Sequence, residues 1–270
     1  MLANNNEAII NKLAKNSVKT NKKQYAILFF TIILSAFMLF CVFTIGMTYL
    51  NSSRLQNTRL NGAEYDIVTM NGFTSEQLNT LQQNENIRSV GIESYAGFIQ
   101  STEYDKTVEI GLLWCDEVFW DNLMSPARTK LDGHYPQNKN ELMVTKDILK
   151  TCGNENLSVG DSLILTYENN TGVYTDEFVI SGIWDGYGDT SAGFVSKAFY
   201  DETGYDLKNN GILCIKLNCN YVFPTTIQSI EKSLDFSDRQ IFAPTGYIEN
   251  SCICLFQERY DIMDCFNLWV

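Results

Sequence analysis

An uninterrupted apolar run dominates the hydropathy pattern of the first part of the chain. It reads YAILFFTIILSAFMLFCVFTIGMTYL, residues 25–50, and contains no charged side chain. As an α-helix it would be roughly 39 Å long, more than the ~30 Å hydrocarbon core of a bilayer. A cleaved signal peptide would have a shorter apolar region, and a buried soluble helix would keep a polar stripe. The pattern therefore predicts one transmembrane helix over 25–50, continued by the polar NSSRLQNTRLNG as far as Gly62.

Two distant segments of the remaining chain repeat the order strand, helix, strand. The first covers about residues 63–100, where the strand-like AEYDIVTM is followed by a turn at Asn71 and Gly72 and by a capping box formed by Thr74 and Gln77. The second covers about residues 211–245, where GILCIKLNC alternates and Pro224 opens a helix with apolar residues three or four apart. This order is that of a split β-α-β layer, with both helices on one face of a shared sheet.

Residues 104–205, between the two units, have mostly strand-like patterns. TVEIGLLW, DSLILTY and DEFVISGIW are typical of strands, and the short helices DEVFWDNLM and KDILKTCG end at Pro126 and Gly153. We expect this segment to form a β-rich lobe of its own. The predicted fold class is α+β: one N-terminal transmembrane helix followed by an extracytoplasmic domain of split β-α-β units with a β-rich insertion.

Charge separates the two ends of the predicted span. The basic residues before it are Lys12, Lys15, Lys19, Lys22 and Lys23, beside the single acid Glu7. Removing these from the totals of 20 basic and 32 acidic residues leaves 15 and 31, a net charge of −16 after residue 24. Lysines beside a span favour the cytoplasmic side, so we expect residues 1–24 inside and residues 51 onward outside. The overall charge of −12 argues against a nucleic-acid partner.

The cysteines predict neither a zinc site nor a disulfide framework. Cys41 lies in the predicted span, and the other seven are odd in number and form no C-x-x-C pair. We interpret Cys115 and Cys152 as unpaired buried thiols. Cys214 and Cys219 could form a bridge only if a bend brings their Cβ atoms together.

His134 is the only histidine and therefore the first candidate for a catalytic base. It lies between Gly133 and Pro136, which are typical of a turn, and no G-x-S-x-G nucleophile elbow accompanies it. The acidic DGYGD at 185–189 lacks the ligand spacing of an EF-hand loop, and the chain has no P-loop. We expect a turn residue at His134, and no catalytic residue, metal site or resident cofactor in this chain.

Three segments together carry a resemblance to a known family. NKLAKNSVKTNKKQ with the apolar run that follows, GHYPQNKNELMVTKDILKTCG and LSVGDSLILTY resemble the FtsX-like permease family of ABC transporters with a MacB-type extracytoplasmic core domain. The family has a corner G-x-x-P…N-E-[IL]-[MV]-[VL] followed by G-D. The matching residues here are Gly133, Pro136, Asn140, Glu141, Leu142, Met143, Val144, Gly160 and Asp161. The resemblance covers about residues 10–245 and implies that His134 lies in a structural corner leading into a strand.

The resemblance also implies a mechanism without an active site in this chain. A separate cytoplasmic ATP-binding subunit would hydrolyse ATP, and its movement would pass through the spans to the ectodomains. The outcome would be export or release of an amphiphilic substrate across a bacterial cell membrane. The implied partners are that ATP-binding subunit, a second permease copy or half, and membrane lipid. ATP would be bound by the partner alone.

The resemblance divides the chain into four parts. We expect a cytoplasmic basic segment (1–24), a transmembrane helix (25–50), a MacB-like core domain (51–250) and an unassigned tail (251–270). Family members continue into further spans, so we interpret the chain as a truncated or frame-shifted permease. The alternative is a single-span membrane-anchored extracellular sensor or binding protein. A membrane-anchored hydrolase has the least support, because the context of a nucleophile and its base is missing.

Overall fold

A computed structural model describes residues 6–103, 106–187, 192–218 and 224–244. Over these residues the fold is α+β, which confirms the predicted class. The chain divides into two compact units, Met1–Ser52 and Ser53–Val270. The first is helical, and the second holds every strand in the described part of the chain.

The described residues form seven α-helices. In chain order these are α1 (Asn6–Thr20), α2 (Lys22–Asn61), α3 (Ser75–Gln82), α4 (Lys146–Thr151), α5 (Lys197–Tyr200), α6 (Leu207–Asn210) and α7 (Pro224–Ser233). A π-helix, Val118–Leu123, and a 3₁₀ turn, Ser125–Ala127, add to them. Among the described helices only α2 is long and apolar enough to cross a membrane, with a hydropathy of 2.8 in its most apolar part. It ends before Gly62, whose φ of +71° is the left-handed conformation that glycine adopts readily.

One sheet contains all ten strands of the described residues. They are β1 (Ile67–Met70), β2 (Ile87–Glu103), β3 (Lys106–Cys115), β4 (Arg128–Gly133), β5 (Glu141–Thr145), β6 (Ser162–Asn169), β7 (Gly172–Gly186), β8 (Gly193–Val195), β9 (Gly211–Leu217) and β10 (Ile241–Pro244). Their order is β10-β1-β9-β2-β3-β8-β5-β7-β4, and β6 pairs with β2 and β7.

The two predicted β-α-β units share one end of this sheet. Their strands β10, β1, β9 and β2 are neighbours, and α3 and α7 contribute to the same apolar cluster. Leu81 of α3 and Ile230 of α7 pack there with Ile67 and Ile215. The predicted capping box is also present: Thr74 accepts the amide of Gln77. The split layer, with both helices on one face, is therefore as the pattern predicted.

The β-rich insertion does not form a lobe of its own, and this prediction was wrong. Its strands continue the sheet of the split layer, because β2 belongs to both parts. The first half of β2 pairs with β9, and from Glu93 onward β2 also pairs with β3, with a bulge between Tyr95 and Gly97. A single long strand thus joins the two patterns, whereas the sequence pattern indicated two separate groups of strands.

A second apolar cluster lies on the face opposite α3 and α7. Strand alternation places Val68 and Cys214 on that face, while their neighbours Ile67 and Ile215 point to the helices. The π-helix covers this cluster with Phe119, Trp120 and Leu123. The candidate site lies at its margin.

Candidate functional site

The corner residues predicted from the sequence converge on the middle of β7. The carbonyl oxygen of Asn140 accepts the amide of Val179 at 2.8 Å. The carbonyl oxygen of Asp161 accepts the next amide along β7, that of Ile180, at 2.9 Å. Gly160 donates its own amide to the carbonyl oxygen of Ile180 at 2.8 Å. Two motif pieces that are separate in the sequence therefore hold β7 from both sides.

Gly133 brings the end of β4 against the same part of β7. It pairs with Gly182, and the amide of the next residue, His134, donates to the carbonyl oxygen of Ser181 at 2.9 Å. The imidazole of His134 is exposed, and its Nδ1 lies 3.0 Å from the carbonyl oxygen of Tyr135. His134 thus contributes to the corner through its backbone.

Glu141 closes the turn between β4 and β5. Its carboxylate accepts the backbone amides of Gln137 at 2.7 Å and Asn138 at 3.1 Å, and the Asn138 side-chain amide at 2.7 Å. Burial by itself would raise the pKa of Glu141, but these hydrogen bonds outweigh it and lower the pKa. Pro136, at the start of the turn, is buried. The motif residues therefore stabilise the local backbone structure. Their equivalence to the corner of the permease family remains a prediction.

A cleft of about 580 Å³ opens where this corner meets the π-helix. Pro136 and Gln137 of the corner line one side of it, and Lys197 of α5 lines another. The remaining lining is aromatic and acidic: Trp114, Trp120 and Tyr135, with Asp116, Glu117 and Asp121. The residues WCDEVFW supply most of these groups. The sequence pattern assigned this aromatic and acidic stretch only to the end of a strand and to a short helix.

Tyr135 ties the corner to the sheet beside the cleft. Its hydroxyl oxygen accepts the amide of Cys115 at 3.0 Å, and it lies 3.2 Å from the carbonyl oxygens of both Cys115 and Val195. Its ring packs 5.0 Å from that of Trp120, centre to centre. Burial is the main cause that raises the pKa of Tyr135 and of the Cys115 thiol well above their ordinary values. Both groups are therefore neutral near pH 7, and Cys115 is an inert buried thiol.

Asp116 lies two residues before the π-helix and has a half-buried carboxylate. Its Oδ1 accepts the amides of Ile92 at 2.9 Å and Phe119 at 2.8 Å. Burial raises the pKa of Asp116, although these two hydrogen bonds act in the opposite direction. Single π-helical turns often occur at functional sites. This carboxylate is both a structural cap and part of the cleft wall.

Two cations of the chain lie over aromatic rings of the cleft wall. The Arg128 guanidinium is 4.1 Å from the ring centre of Trp120. The Lys197 ammonium lies 4.9 Å from the ring centre of Trp114, and it also forms an ion pair with Asp201. The faces of both tryptophans are therefore places where positive charge is stabilised.

The segment that follows α2 is tied to the sheet on the other side of the π-helix. The amide of Glu64 donates to the carbonyl oxygen of Leu123 at 2.6 Å. Lys216 of β9 places its ammonium 3.0 Å from the Glu64 carboxylate and 3.3 Å from that of Asp66. Asp66 also accepts the amide of Leu217 at 2.8 Å. These tethers explain why β1 begins at Ile67, later than the predicted residue 63.

Glu93 is an acid on β2 that the sequence analysis did not single out. It lies directly opposite Cys115 of β3 and beside the second apolar cluster. Although part of the residue is exposed, burial of its carboxyl group raises its pKa from 4.5 to about 7. No pattern in the sequence distinguishes it from acids that face water.

The other predicted residues lie apart from this constellation or outside the described residues. Lys12, Lys15 and Lys19 are exposed on α1, and Lys22 and Lys23 are exposed at the start of α2. Their role as cytoplasmic anchors remains a prediction. The end of the DGYGD loop, Cys219 and the tail 251–270 lie outside the described residues. Within the described part of the chain, no group of three histidine, cysteine or acidic residues could hold a metal ion.

No protein-family model matches the sequence, and no curated protein matches it. Solved structures are similar to it. The periplasmic region of MacB from Actinobacillus actinomycetemcomitans has 14% identity and a TM-score of 0.46, covering 72% of this chain and 95% of that chain. The extracellular domain of the noncanonic ABC-type transporter YknZ from Gram-positive bacteria has 12% identity and a TM-score of 0.39, covering 62% and 87%. A domain of a proposed permease protein from Porphyromonas gingivalis has 10% identity and a TM-score of 0.40, covering 67% and 89%.

These neighbours are domains of transporters and permeases, and none of the three is described as an enzyme. With TM-scores below 0.5, the likeness by itself carries no function over to this chain.

Proposed function

We propose that this chain is a membrane permease component of an ABC transporter, with α2 as its span and the domain from residue 53 onward outside the cytoplasm. One observation carries the proposal: the charge-free run 25–50 lies in a single helix, and the domain after it contains the permease-like corner as a continuous hydrogen-bonded unit on β7. An apolar helix of this length fits a bilayer. The five exposed lysines before it favour a cytoplasmic N-terminus in a bacterial cell membrane.

In this proposal the chain transmits movement and performs no chemistry. A separate cytoplasmic ATP-binding subunit would hydrolyse ATP, and a second permease copy or half would complete the assembly. The tethers of Glu64 and Asp66 to Leu123 and Lys216 join the segment after α2 to the sheet and to the π-helix. A displacement of that segment would therefore move the wall of the cleft, and an amphiphilic substrate would be exported or released.

The topology can be tested by labelling with a membrane-impermeant maleimide in intact cells. Lys130→Cys is an exposed position on β4, and Lys12→Cys is the matched position before the span. The unmodified chain gives the background of its own cysteines. We expect labelling at residue 130 and protection at residue 12. The reverse result would contradict the proposed orientation.

The transport role can be tested by purifying the full chain from its own membrane after crosslinking. We expect an ATP-binding subunit to copurify and its ATPase rate to depend on the permease. A Lys216→Met variant should still bind the subunit but change that rate, because its tether is broken. Failure of any ATP-binding subunit to copurify would contradict the proposal.

A single-span anchored sensor or binding protein is the second candidate function. The cleft of about 580 Å³ with its aromatic and acidic lining favours it, because such a cleft can bind a ligand without any ATPase. Specific ligand binding by a chain that recruits no ATP-binding subunit would support this candidate.

A further inference from the structure

We propose that the cleft between the corner and the π-helix binds an organic cation that carries an apolar group. The inference deepens the proposed function by naming the class of its ligand, and only its role as a transported substrate rests on that function. The binding itself follows from the charges, the rings and the size of the cleft.

The charge of the lining favours a positive ligand. Asp116, Glu117 and Asp121 line the cleft beside Lys197, whose positive charge is partly offset by its ion pair with Asp201. Arg128, which lies over Trp120, interacts with Asp121. The three acids still outnumber these partners, so a ligand ammonium would meet a net negative lining, chiefly at Asp116 and Glu117. Glu117 and Asp121 are exposed, whereas Asp116 is half-buried. Salt screens a partly buried charge less than an exposed one, so Asp116 maintains the attraction at physiological ionic strength. An anionic ligand would be repelled by the same three acids.

The aromatic walls favour an organic cation over a hydrated metal ion. Trp114, Trp120 and Tyr135 offer apolar surface, and two of these rings already have cations of the chain over them. The Arg128 guanidinium lies 4.1 Å from the ring centre of Trp120, which shows that the electron-rich face of this ring stabilises positive charge. An alkyl or aryl group on the ligand would cover the remaining apolar surface of the walls.

Asp116 is the acid best placed to gain from such a ligand. Its carboxylate is half-buried, and its described hydrogen bonds, from Ile92 and Phe119, both involve Oδ1. Partial burial penalises its charge, as the raised pKa of Asp116 shows. A bound cation would offset that penalty, which is why neutralising this residue should weaken binding more than neutralising an exposed acid.

The size of the cleft suits a small amphiphile. Its volume of about 580 Å³ lies within the range of ligand pockets, which is roughly 300–1,000 Å³. A ligand that exposes part of an alkyl chain at the mouth of the cleft would also fit. All of the lining residues belong to the described part of the chain.

The test uses the full chain in nanodiscs of zwitterionic lipid, with benzyltrimethylammonium as the cationic probe. Benzenesulfonate is the anionic counterpart of similar size, and empty nanodiscs correct for partition into lipid. Calorimetric titration should show saturable binding of the cation and none of the anion. Equal binding of both probes, or binding of the anion alone, would overturn the proposal.

Four variants locate the binding. Asp116→Asn keeps the oxygen that accepts the two amides, and we expect it to weaken binding about five- to tenfold. Glu117→Gln, at an exposed position, should weaken binding by about twofold. This variant tests the cleft even if the fold does not tolerate a change at Asp116. Lys197→Gln should tighten binding, because it removes a competing positive charge. Asp147→Asn, on the exposed face of α4 outside the cleft, should have no effect.

The outcomes separate this inference from the proposed function. If the cation binds as described but no ATP-binding subunit copurifies, the ligand class stands and the permease role fails. If the subunit copurifies but the cation does not bind, the ligand class alone fails. Unchanged affinity in both Asp116→Asn and Glu117→Gln, or weaker binding in Lys197→Gln, would place the probe elsewhere and refute the inference.

Discussion

Gly133 and Gly182 are paired across β4 and β7, and neither position has room for a side chain. A Cβ atom at Gly133 would lie 2.2 Å from the carbonyl oxygen of Ser181. A Cβ atom at Gly182 would lie 3.0 Å from the carbonyl oxygen of His134 and 2.8 Å from the terminal methyl of Met143. Gly133 also has a φ of +90°. The corner thus depends on a close backbone approach that two glycines permit.

Gly133→Ala should destabilise the domain more than conformational strain alone explains. Left-handed φ costs a non-glycine residue about 1 kcal/mol, and the contact with Ser181 would force the backbone apart in addition. We expect a loss of more than about 3 kcal/mol in the free energy of unfolding. Urea unfolding of the full chain in nanodiscs, followed by tryptophan fluorescence, measures it.

Gly160→Ala is the matched control for this prediction. Gly160 has a φ of +95°, but a Cβ atom there would meet nothing within 4 Å. It should therefore show the conformational cost alone, about 1 kcal/mol. Equal losses in the two variants would mean that the close approach at Gly133 has no energetic weight.

Glu141→Gln should loosen the turn that follows Gly133. The ionised carboxylate accepts three hydrogen bonds, and a glutamine has one oxygen for them and turns an N–H₂ group towards a donor. We expect a loss of about 1 kcal/mol in the free energy of unfolding at neutral pH. Three hydrogen bonds to a buried charged group would contribute more, but solvent screens this largely exposed turn. Since the pKa of Glu141 is lowered in the fold, this contribution is present above its ordinary pKa and is lost as the pH falls through the folded value. The difference between the two chains should therefore shrink in acid, which unfolding curves at several pH values will show.

Glu93 should give the domain a stability that decreases as the pH rises. Its pKa is raised from 4.5 to about 7, so the fold favours the neutral carboxyl group. The associated stability is complete below pH 4.5 and is lost as the pH approaches 7, a change of about 3 kcal/mol. Glu93→Gln should remove this pH dependence and should be more stable than the original chain at about pH 8. Glu177→Gln, at an exposed position of β7, should leave the dependence intact. If the two variants behave alike, the carboxyl group of Glu93 is in effect solvated.

Local signals in the sequence were sufficient for much of the fold. The capping box at Thr74, the stop at Gly62 and the turn at Asn71 and Gly72 each depend on residues within a few positions of one another. The structure places all three where the pattern predicts them. Gly62, Asn71 and Gly72 have positive φ, which only a few residue types adopt readily.

Contacts between distant residues account for what the sequence could not predict. Whether the insertion forms its own sheet depends on how far β2 extends, and its alternation is compatible with either arrangement. The cleft requires Trp114 of β3, Tyr135 of the corner and Lys197 of α5 to meet, and no spacing in the sequence encodes that meeting. The burial of the Glu93 carboxyl group likewise depends on contacts between residues that are distant in the sequence. The corner motif could be identified in advance because its residues, although distant, form a recognisable pattern.

Lys216→Met should destabilise the junction that follows α2 by leaving a buried acid without its partner. The side chains of Lys216 and Asp66 are 10% and 11% exposed, so they form a nearly buried pair, while the side chain of Glu64 is 41% exposed. Removing one member of such a pair typically costs about 3 kcal/mol, because the remaining charge is desolvated and unpaired. We expect that loss in urea unfolding, together with faster hydrogen exchange of the Asp66 amide, which donates to Ile215 at 2.9 Å.

The double variant Asp66→Asn with Lys216→Met distinguishes an unpaired charge from lost packing. The asparagine oxygen can still accept the amide of Leu217, and no buried charge remains. We therefore expect the double variant to recover at least about half of the stability that Lys216→Met loses. Lys130→Met, at an exposed position of β4, should change nothing measurable. A double variant as unstable as Lys216→Met would show that the junction depends on the packing of the lysine stem rather than on its charge. The tether would then transmit movement through apolar contact with β9.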